Sequence, residues 1–308
     1  MMRVMIALVT ILSCSPLFAF FADGNISRLP YTSEGEGPCF FLDHTSYQGM
    51  EGKTYVEFYL QVGYRSLQFF KSGKDFRAGY SFTLEIRDSN GKPIDSQNTK
   101  DVFDVGTFEE TLSRTTARVS LMAFSLPPGS YHVHSVLEDI ETEKVSVVEK
   151  IITVFEFGGN VLQLSEIQFS HDIRLGEEGQ PYVKNHRYIQ PNAVRTFSPE
   201  TGDIYLYFEI YNMAAVKKNS EYVAEFLICD AGGQQVGKVS RHHQKPGKTS
   251  AHSMRFGVDF FQDGLYDVLV RIRDLDNGAI AESKGRFRVV RQQELSAGYL
   301  EDPGAWYR

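Results

Sequence analysis

Along most of this chain apolar residues recur at every second position. Val56, Phe58, Leu60 and Val62 alternate with Glu57, Tyr59 and Gln61, and Ile204, Leu206, Phe208 and Ile210 alternate with Tyr205, Tyr207 and Glu209. Period two marks a half-buried β-strand, because successive side chains leave opposite faces. Strands are predicted on this basis over 54–62, 76–87, 118–124, 131–138 and 145–155, and again over 161–169, 203–211, 221–229, 253–259, 266–273 and 285–290. No helical periodicity competes over a useful length. Asp88-Ser89-Asn90-Gly91 reads as a hairpin turn, since Asn-Gly tolerates the positive φ that primed turns need. Short alternating strands separated by Gly, Pro and Asn turns predict an all-β fold of antiparallel sandwiches.

The pattern is written twice. The strand at Val56 returns 148 positions later at Ile204, Phe82 to Asp88 returns 142 later at Ala224 to Asp230, and Gly129-Ser130-Tyr131 returns 135 later at Gly264-Leu265-Tyr266. An offset that drifts in order is what a duplicated domain shows once loops have been trimmed in one copy. Two tandem β-sandwich domains related by internal duplication are therefore expected, over 39–157 and 158–290, with a hinge at Gly158-Gly159-Asn160. A tether over 20–38 precedes them and a tail over 291–308 follows. The second copy alone carries an insertion from His171 to His186, rich in charge and glycine.

Tyr131 and Tyr266 each stand two residues after a glycine, where an apolar alternating strand begins. That placement suits a tyrosine corner, the buried ring packing in the core while its hydroxyl bonds upstream backbone. The expected domains are accordingly immunoglobulin- or fibronectin-III-like.

A chain of 308 residues accommodates two such domains, each large enough to form a core without disulfides or metal. The net charge of −7 and the lack of a long basic run point away from nucleic acid. Met1-Met2-Arg3 and the apolar run behind it read as a signal peptide over 1–19, with Leu17-Phe18-Ala19 as the cleavage site. A competing reading makes Ile11-Leu12-Ser13-Cys14 a lipobox, and membrane attachment is expected only if Cys14 is lipidated. An uncleaved anchor is disfavoured by Ser13, Ser15 and Pro16. Cys39 and Cys229 fall in different domains and are expected to stay unpaired.

Candidate chemistry is sparse. His132 and His134 share one strand face, but no further ligand matches them; His242, His243 and His252 read as solvated loop residues near Arg241 and Lys245. Asp274-Leu275-Asp276-Asn277-Gly278 has its glycine fifth rather than sixth and lacks the twelfth-position Glu of an EF-hand, so a hairpin turn is expected there; a weak cation site shared with Asp139-Ile140-Glu141 stays open. No nucleophile elbow, HExxH helix or phosphate loop occurs, and neither a catalytic residue nor a metal or other cofactor is assigned. The positive feature is aromatic. If the alternating apolar residues face inward, Tyr55, Tyr59, Tyr205, Tyr207 and Tyr211 face outward, as a binding face or as a surface for docking another domain.

Tyr55 to Phe70 (YVEFYLQVGYRSLQFF), Phe124 to Gly129 (FSLPPG) with Tyr131, Leu164 to Phe169 (LSEIQF), Pro191 to Phe197 (PNAVRTF) and Tyr205 to Asn212 (YLYFEIYN) give the chain its likeness. Over most of 41–290 it resembles the β-sandwich region of bacterial exported proteins named for a C-terminal GWxTD domain. The C-terminal Gly304-Ala305-Trp306-Tyr307-Arg308 is not that box, so the naming domain is expected to be absent or lost by truncation. The resemblance implies an envelope protein of uncharacterised role, with no catalytic residues to carry over. The expected function is an exported, non-catalytic interaction or structural module of the periplasm or cell surface, with an envelope protein or a glycan as partner. Two alternatives are an accessory carbohydrate-binding protein and a periplasmic assembly chaperone that adds a strand to its clients, for which 145–155 would be the open edge.

Overall fold

A computed structural model describes residues 29–214 and 219–291, and most of them lie in strands. The signal-peptide segment, Cys14 and the tail beyond Arg291 lie outside the described residues. Domain one is built from β1 (Tyr31–Thr32), β2 (Glu34–Gly35), β3 (Phe40–Gln48), β4 (Thr54–Gly63), β5 (Phe70–Ser72), β6 (Asp75–Arg87), β7 (Pro93–Val105), β8 (Ala117–Leu126), β9 (Gly129–Asp139) and β10 (Val145–Val154). One sheet runs β1-β3-β4-β8; the other runs β2-β10-β9-β6-β5, with β7 also paired to β6. Domain two is built from β11 (Gln163–Leu164), β12 (Gln168–Leu175), β13 (Val183–Lys184), β14 (Arg187–Pro191), β15 (Thr196–Phe197), β16 (Ile204–Tyr211), β17 (Glu221–Asp230), β18 (Gln235–Gln244), β19 (Ser250–Phe256), β20 (Gly264–Asp274) and β21 (Ile280–Val289). Its sheets run β11-β16-β12-β14-β13, with β19 also on β16, and β15-β21-β20-β17-β18.

The duplication is visible as topology. The neighbours β4–β8, β6–β7, β6–β9 and β9–β10 recur as β16–β19, β17–β18, β17–β20 and β20–β21, all antiparallel. Small devices recur with them. Asp88 Oδ1 accepts from the N–H of Asn90 and Lys92, and Asp230 Oδ1 from the N–H of Gly232 and Gln234, which fixes both hairpins as Asx turns. A departure from the antiparallel scheme is β15, which runs parallel to the end of β21.

Each sandwich closes over its own core. The residues expected to face inward do so: Val56, Phe58, Leu60 and Val62 pack in one cluster with Phe82, Leu84, Phe124 and Leu137, and Ile204, Leu206, Phe208 and Ile210 in another with Phe226, Val268, Val270 and Phe287. Fully burying such a side chain contributes roughly 1.5–3 kcal/mol. Tyrosine corners are present in both copies: the Tyr131 hydroxyl donates to Pro127 O at 2.8 Å and that of Tyr266 to Gln262 O at 2.9 Å. Gly129 and Gly264, at φ of 157° and 155°, turn the chain into each corner through backbone that L side chains rarely adopt. Tyr131→Phe and Tyr266→Phe should each lower the stability of their own domain by about 1 kcal/mol, because the ring stays packed while the carbonyl loses its donor. Denaturant melts of the two single variants check this, and unchanged midpoints would show the hydroxyls to be dispensable.

Besides short pieces such as β5, β13 and β15, four longer strands escaped the alternation. The edge strands β7 and β18 are mostly polar and largely exposed, so although burial alternates along parts of them their residue types do not. The opposite holds for β3, which is covered on both faces and shows no clean polar side. β14 belongs to the 171–191 excursion, whose charge and glycine disguise its strands. The stretch expected as a tether also contributes structure, since β1 and β2 lie on the edges of the two sheets of domain one. The strand expected over 161–169 is broken instead into β11 and the start of β12, for a reason that lies in the other domain.

Candidate functional site: the face between the sandwiches

Among the side chains of β3 and β4 that point away from their own core, Asp43, Thr45, Tyr47, Glu57 and Tyr59 are buried, Phe41 and Gln61 are half-buried and Tyr55 is exposed. What covers the buried ones is the outer face of β11, β12, β14 and β16. At the break after β11, Glu166 turns toward domain one, its N–H bonding Ser46 O at 3.2 Å and its Oε2 accepting from Ser46 N–H at 2.7 Å. The expected hinge at Gly158-Gly159-Asn160 thus joins two bodies that are fastened to each other.

This docking decides where the expected tyrosines lie. All point away from the core of their own sandwich, but Tyr59, Tyr207 and Tyr211 are only 2%, 0% and 3% exposed, because the two outer faces pack against each other. They therefore cannot serve an external partner as a free surface, and of the two roles open to outward tyrosines they perform domain docking. Tyr205 is half-buried, and Tyr55 remains exposed at the rim.

The centre of the interface is a buried polar network. Lys184, from the 171–186 insertion, donates to Tyr47 Oη at 2.9 Å, lies close to Tyr59 Oη at 3.3 Å and pairs with Glu57, which also accepts from Tyr59 Oη. Its ammonium stands 4.0 Å from the centre of the Tyr47 ring, with Tyr207 and Tyr59 further round, an arrangement in which ring faces and a carboxylate together replace water around a cation. Beside it, Glu209 accepts from Tyr207 Oη at 2.6 Å, from Tyr211 Oη at 2.8 Å and from Asn185 Nδ2 at 2.9 Å. Burial, reinforced by Glu57, pushes the Tyr47 and Tyr59 phenols well above their ordinary range; burial with Glu209 does the same to Tyr207 and Tyr211. Burial also holds the Lys184 ammonium below its usual pKa, against the pull of Glu57. The insertion, expected only as a charged loop, is a clasp: β13 and β14 fold back along β12, and Tyr182 Oη reaches Val119 O of β8 at 2.6 Å. Tyr182, Asn185 and His186 all take positive φ, so the clasp holds strained backbone.

A second ion pair crosses the interface. Arg195 and Asp43 form a two-pronged pair, each contact 2.7 Å, with side chains 3% and 6% exposed. Arg195 is aimed by a tight turn in which Asn192 Oδ1 accepts from the N–H of Val194 and Arg195, and Gln61 Oε1 accepts from Ala193 N–H. The segment Pro191 to Phe197 is thus a docking turn. Lys184 and Arg195 were not singled out in the sequence, and a signal that could have exposed the partner of Arg195 is Asp43, a charge directly after the apolar run Phe40-Phe41-Leu42.

Three cavities open along this interface: a cleft of about 960 Å³ beside the Asp43–Arg195 pair, a pocket of about 380 Å³ on the far side of the docking turn, and one of about 300 Å³ under the clasp. Glu156 is an exposed acid of the cleft, while its other acidic side chains are engaged: Asp43 with Arg195, Glu166 with Ser46, and Glu282 with Arg271 at 2.5 Å. They hold domains and strands together, and no nucleophile lies beside a base among them.

The remaining candidates resolve as structure. His134 pairs with Glu149 at 2.9 Å, and His242 lies 3.5 Å from Glu221. His243 and His252 belong to β18 and β19 rather than to a solvated loop: His252 is hydrogen-bonded to Tyr222 and stacked on Phe208, and burial takes its pKa down to about 4. In the Asp274 turn the cation is a lysine, since Lys245 Nζ lies 2.5 Å from both Asp274 Oδ1 and Asp276 Oδ2, with its side chain wholly covered. Asp139, its counterpart, caps the N–H of Glu141, Thr142 and Gln68 instead. Among the described residues no three His, Cys, Asp or Glu converge as metal ligands. Cys39 and Cys229 are both free thiols, raised in pKa by burial.

No family model matches the chain, and no curated protein does. Among solved structures it is similar to β-glucuronidase 2 of Bacteroides uniformis (13% identity, 77% of this chain and 26% of that one, TM-score 0.26). It is also similar to dimeric latent PorU from Porphyromonas gingivalis (13%, 86% and 20%, 0.26) and to a glycosyl hydrolase family 2 member from Bacteroides cellulosilyticus (10%, 77% and 28%, 0.25). The chain spans about a quarter of the first of these. Such likeness concerns the β-sandwich fold and carries nothing of what those proteins bind or cleave.

Proposed function

We propose that this is an exported, non-catalytic interaction module of the bacterial cell envelope, and that its wide cleft holds an extended polypeptide by strand addition to β10. The observation that carries this reading is the open edge of β10 in the cleft wall. Gly37 N–H bonds Val145 O, and β2 pairs with Ser146 and Val147; beyond Val147 no strand pairs with that side of β10 among the described residues. Strand alternation then points the N–H and C=O of Glu149, Ile151 and Thr153 away from β9. Ile151 and Thr153 line the cleft, and Ile151 is 60% exposed. By contrast the outer edge strand β7 carries Asp95, Lys100 and Asp104, charges of the kind that discourage pairing. A rigid block suits such capture, because little ordering entropy is lost when the walls are already fixed. Export is supported by the charged and apolar pattern of residues 1–19.

A glycan in the same cleft is the second reading, favoured by Gln163. Its Oε1 is buried at the cleft wall without a hydrogen-bond partner among the described residues, an acceptor that a ligand hydroxyl would satisfy once the amide turns into the cleft. Thr153→Pro separates the two. It deletes an outward N–H from β10 and leaves the ladder to β9 untouched. In fluorescence anisotropy against labelled decapeptides of alternating apolar and polar residues, the variant should bind about tenfold or more weakly at an unchanged melting temperature. Peptide binding indifferent to the proline would sink strand addition, and oligosaccharide binding indifferent to it would favour the glycan.

A further inference from the structure

On the other side of the docking turn from the cleft lies the pocket of about 380 Å³, built jointly by the two sandwiches. We infer that it is a binding site for a small organic carboxylate, its charge held by Arg65 and Arg114 and its apolar body seated on Phe41, Val194 and Val290.

Charge is the first observation. The chain carries a net −7, yet the lining of this pocket contains two arginines and no Asp or Glu. Several arginines elsewhere are matched to carboxylates, Arg77 to Asp104, Arg87 to Glu85, Arg118 to Asp101 and Arg286 to Asp267, whereas Arg187 donates to the backbone O of Asn185. Arg65, in the short turn after β4, and Arg114, in the loop before β8, have no such partner among the described residues. A guanidinium presents its N–H groups as a planar fork that matches a carboxylate, and two of them with no competing acid leave a positive potential at the mouth.

The second observation is what lies behind the arginines. Half-buried Phe41 and the edges of Val194 and Val290, 8% and 7% exposed, form an apolar wall, behind which Phe197 is wholly buried in the core of domain two. His171 packs edge-on to Phe197 and its ring has no hydrogen-bond partner among the described residues. Burial takes its pKa down to about 4, so near neutral pH it is an uncharged imidazole offering one donor and one acceptor. A cationic mouth, an apolar wall and one neutral polar group describe a pocket for an anion with a hydrophobic body, in the size range that small-molecule sites occupy. A free inorganic anion would use the mouth and leave the wall empty.

Three probes distinguish these parts, followed by saturation-transfer NMR on the full chain: benzoate, benzyl alcohol and inorganic phosphate. Benzoate should bind, and benzyl alcohol, which has the same body without the charge, should bind at least about tenfold more weakly. Arg65→Ala/Arg114→Ala, both exposed positions, should weaken benzoate at least about tenfold at an unchanged melting temperature. Thr115→Trp, placed at the exposed rim, should block benzoate while both arginines remain. The inference is overturned if benzoate does not bind, if it binds the double variant or the Trp variant as well as the native chain, or if phosphate binds as tightly as benzoate. None of these readouts involves the β10 edge, so failure here leaves the peptide reading standing, and the reverse.

Discussion

Replacing Lys184 with methionine is expected to cost about 3–5 kcal/mol of stability, the loss that follows when one member of a buried ion pair is removed and the other stays behind. Glu57 would keep its charge at 4% exposure with two phenols around it and no cation. Glu57→Gln should cost a comparable amount, since it strands the ammonium among three rings. The double variant should recover much of the loss, because two neutral side chains no longer require desolvated charge. Urea melts of all four proteins complete the cycle, and a loss below about 1 kcal/mol for Lys184→Met would show that the clasp is not seated. The pH dependence carries a sign. Burial depresses the folded pKa of Lys184, so the folded state binds fewer protons there than the unfolded chain, whose lysines titrate near about 10.4. The cost of holding this charge is therefore relieved as pH rises through the depressed folded value, and the Lys184→Met variant should lose that alkaline gain.

Lys245→Met should destabilise domain two by a similar amount, about 3–5 kcal/mol, by leaving Asp274 and Asp276 side by side with their shared cation gone. Here the sign is opposite. Although burial works against it, hydrogen bonds to Asp274 and Asp276 hold the Lys245 pKa above its usual value, so its contribution is complete below about pH 10.4 and is lost as pH rises through the raised folded value. Asp274 is held below the usual carboxylate range, burial being outweighed by the bonds from Lys245 and from the N–H of Ala214 and Asp276. Its contribution is present above about pH 3.9 and is lost as pH falls through the lower folded value. Thermal melts across pH, native against Lys245→Met, should show the variant lacking the alkaline fall and with a smaller acid fall, since the N–H groups of Ala214 and Asp276 still bond Asp274. Identical profiles would mean that the lysine does not anchor the turn.

Sequence patterning reached the inside of each sandwich and stopped at its outer face. Val56, Phe58, Ile204 and Leu206 announce the core because period two is a local property, and Tyr131 and Tyr266 announce their corners because the bonded carbonyl is four residues away. The outward direction of Tyr59 and Tyr207 was legible for the same reason. What covers them was not, since Glu57 meets Lys184 across 127 positions and Asp43 meets Arg195 across 152. A polar residue on an alternating strand looks identical whether water or another domain lies against it. The edge strands β7 and β18 show the converse limit, being placed by pairing to a neighbour's backbone while few of their own side chains are apolar.

The polarity of the docking face has a consequence for how the chain is made. Asp43, Ser46, Glu57 and Gln61 leave the ribosome well before Glu166, Lys184, Ala193 and Arg195, and at about 5–20 residues per second the interval is on the order of ten seconds. During that time domain one can close its own core while its outer sheet waits uncovered. An apolar face of the same extent would invite association with other nascent chains, whereas carboxylates, amides and phenols are content in water until the second sandwich arrives. Joining the halves through buried charge thus yields less net stability than a greasy seam would, and in exchange lets the first half of the molecule remain solitary until its own second half finds it.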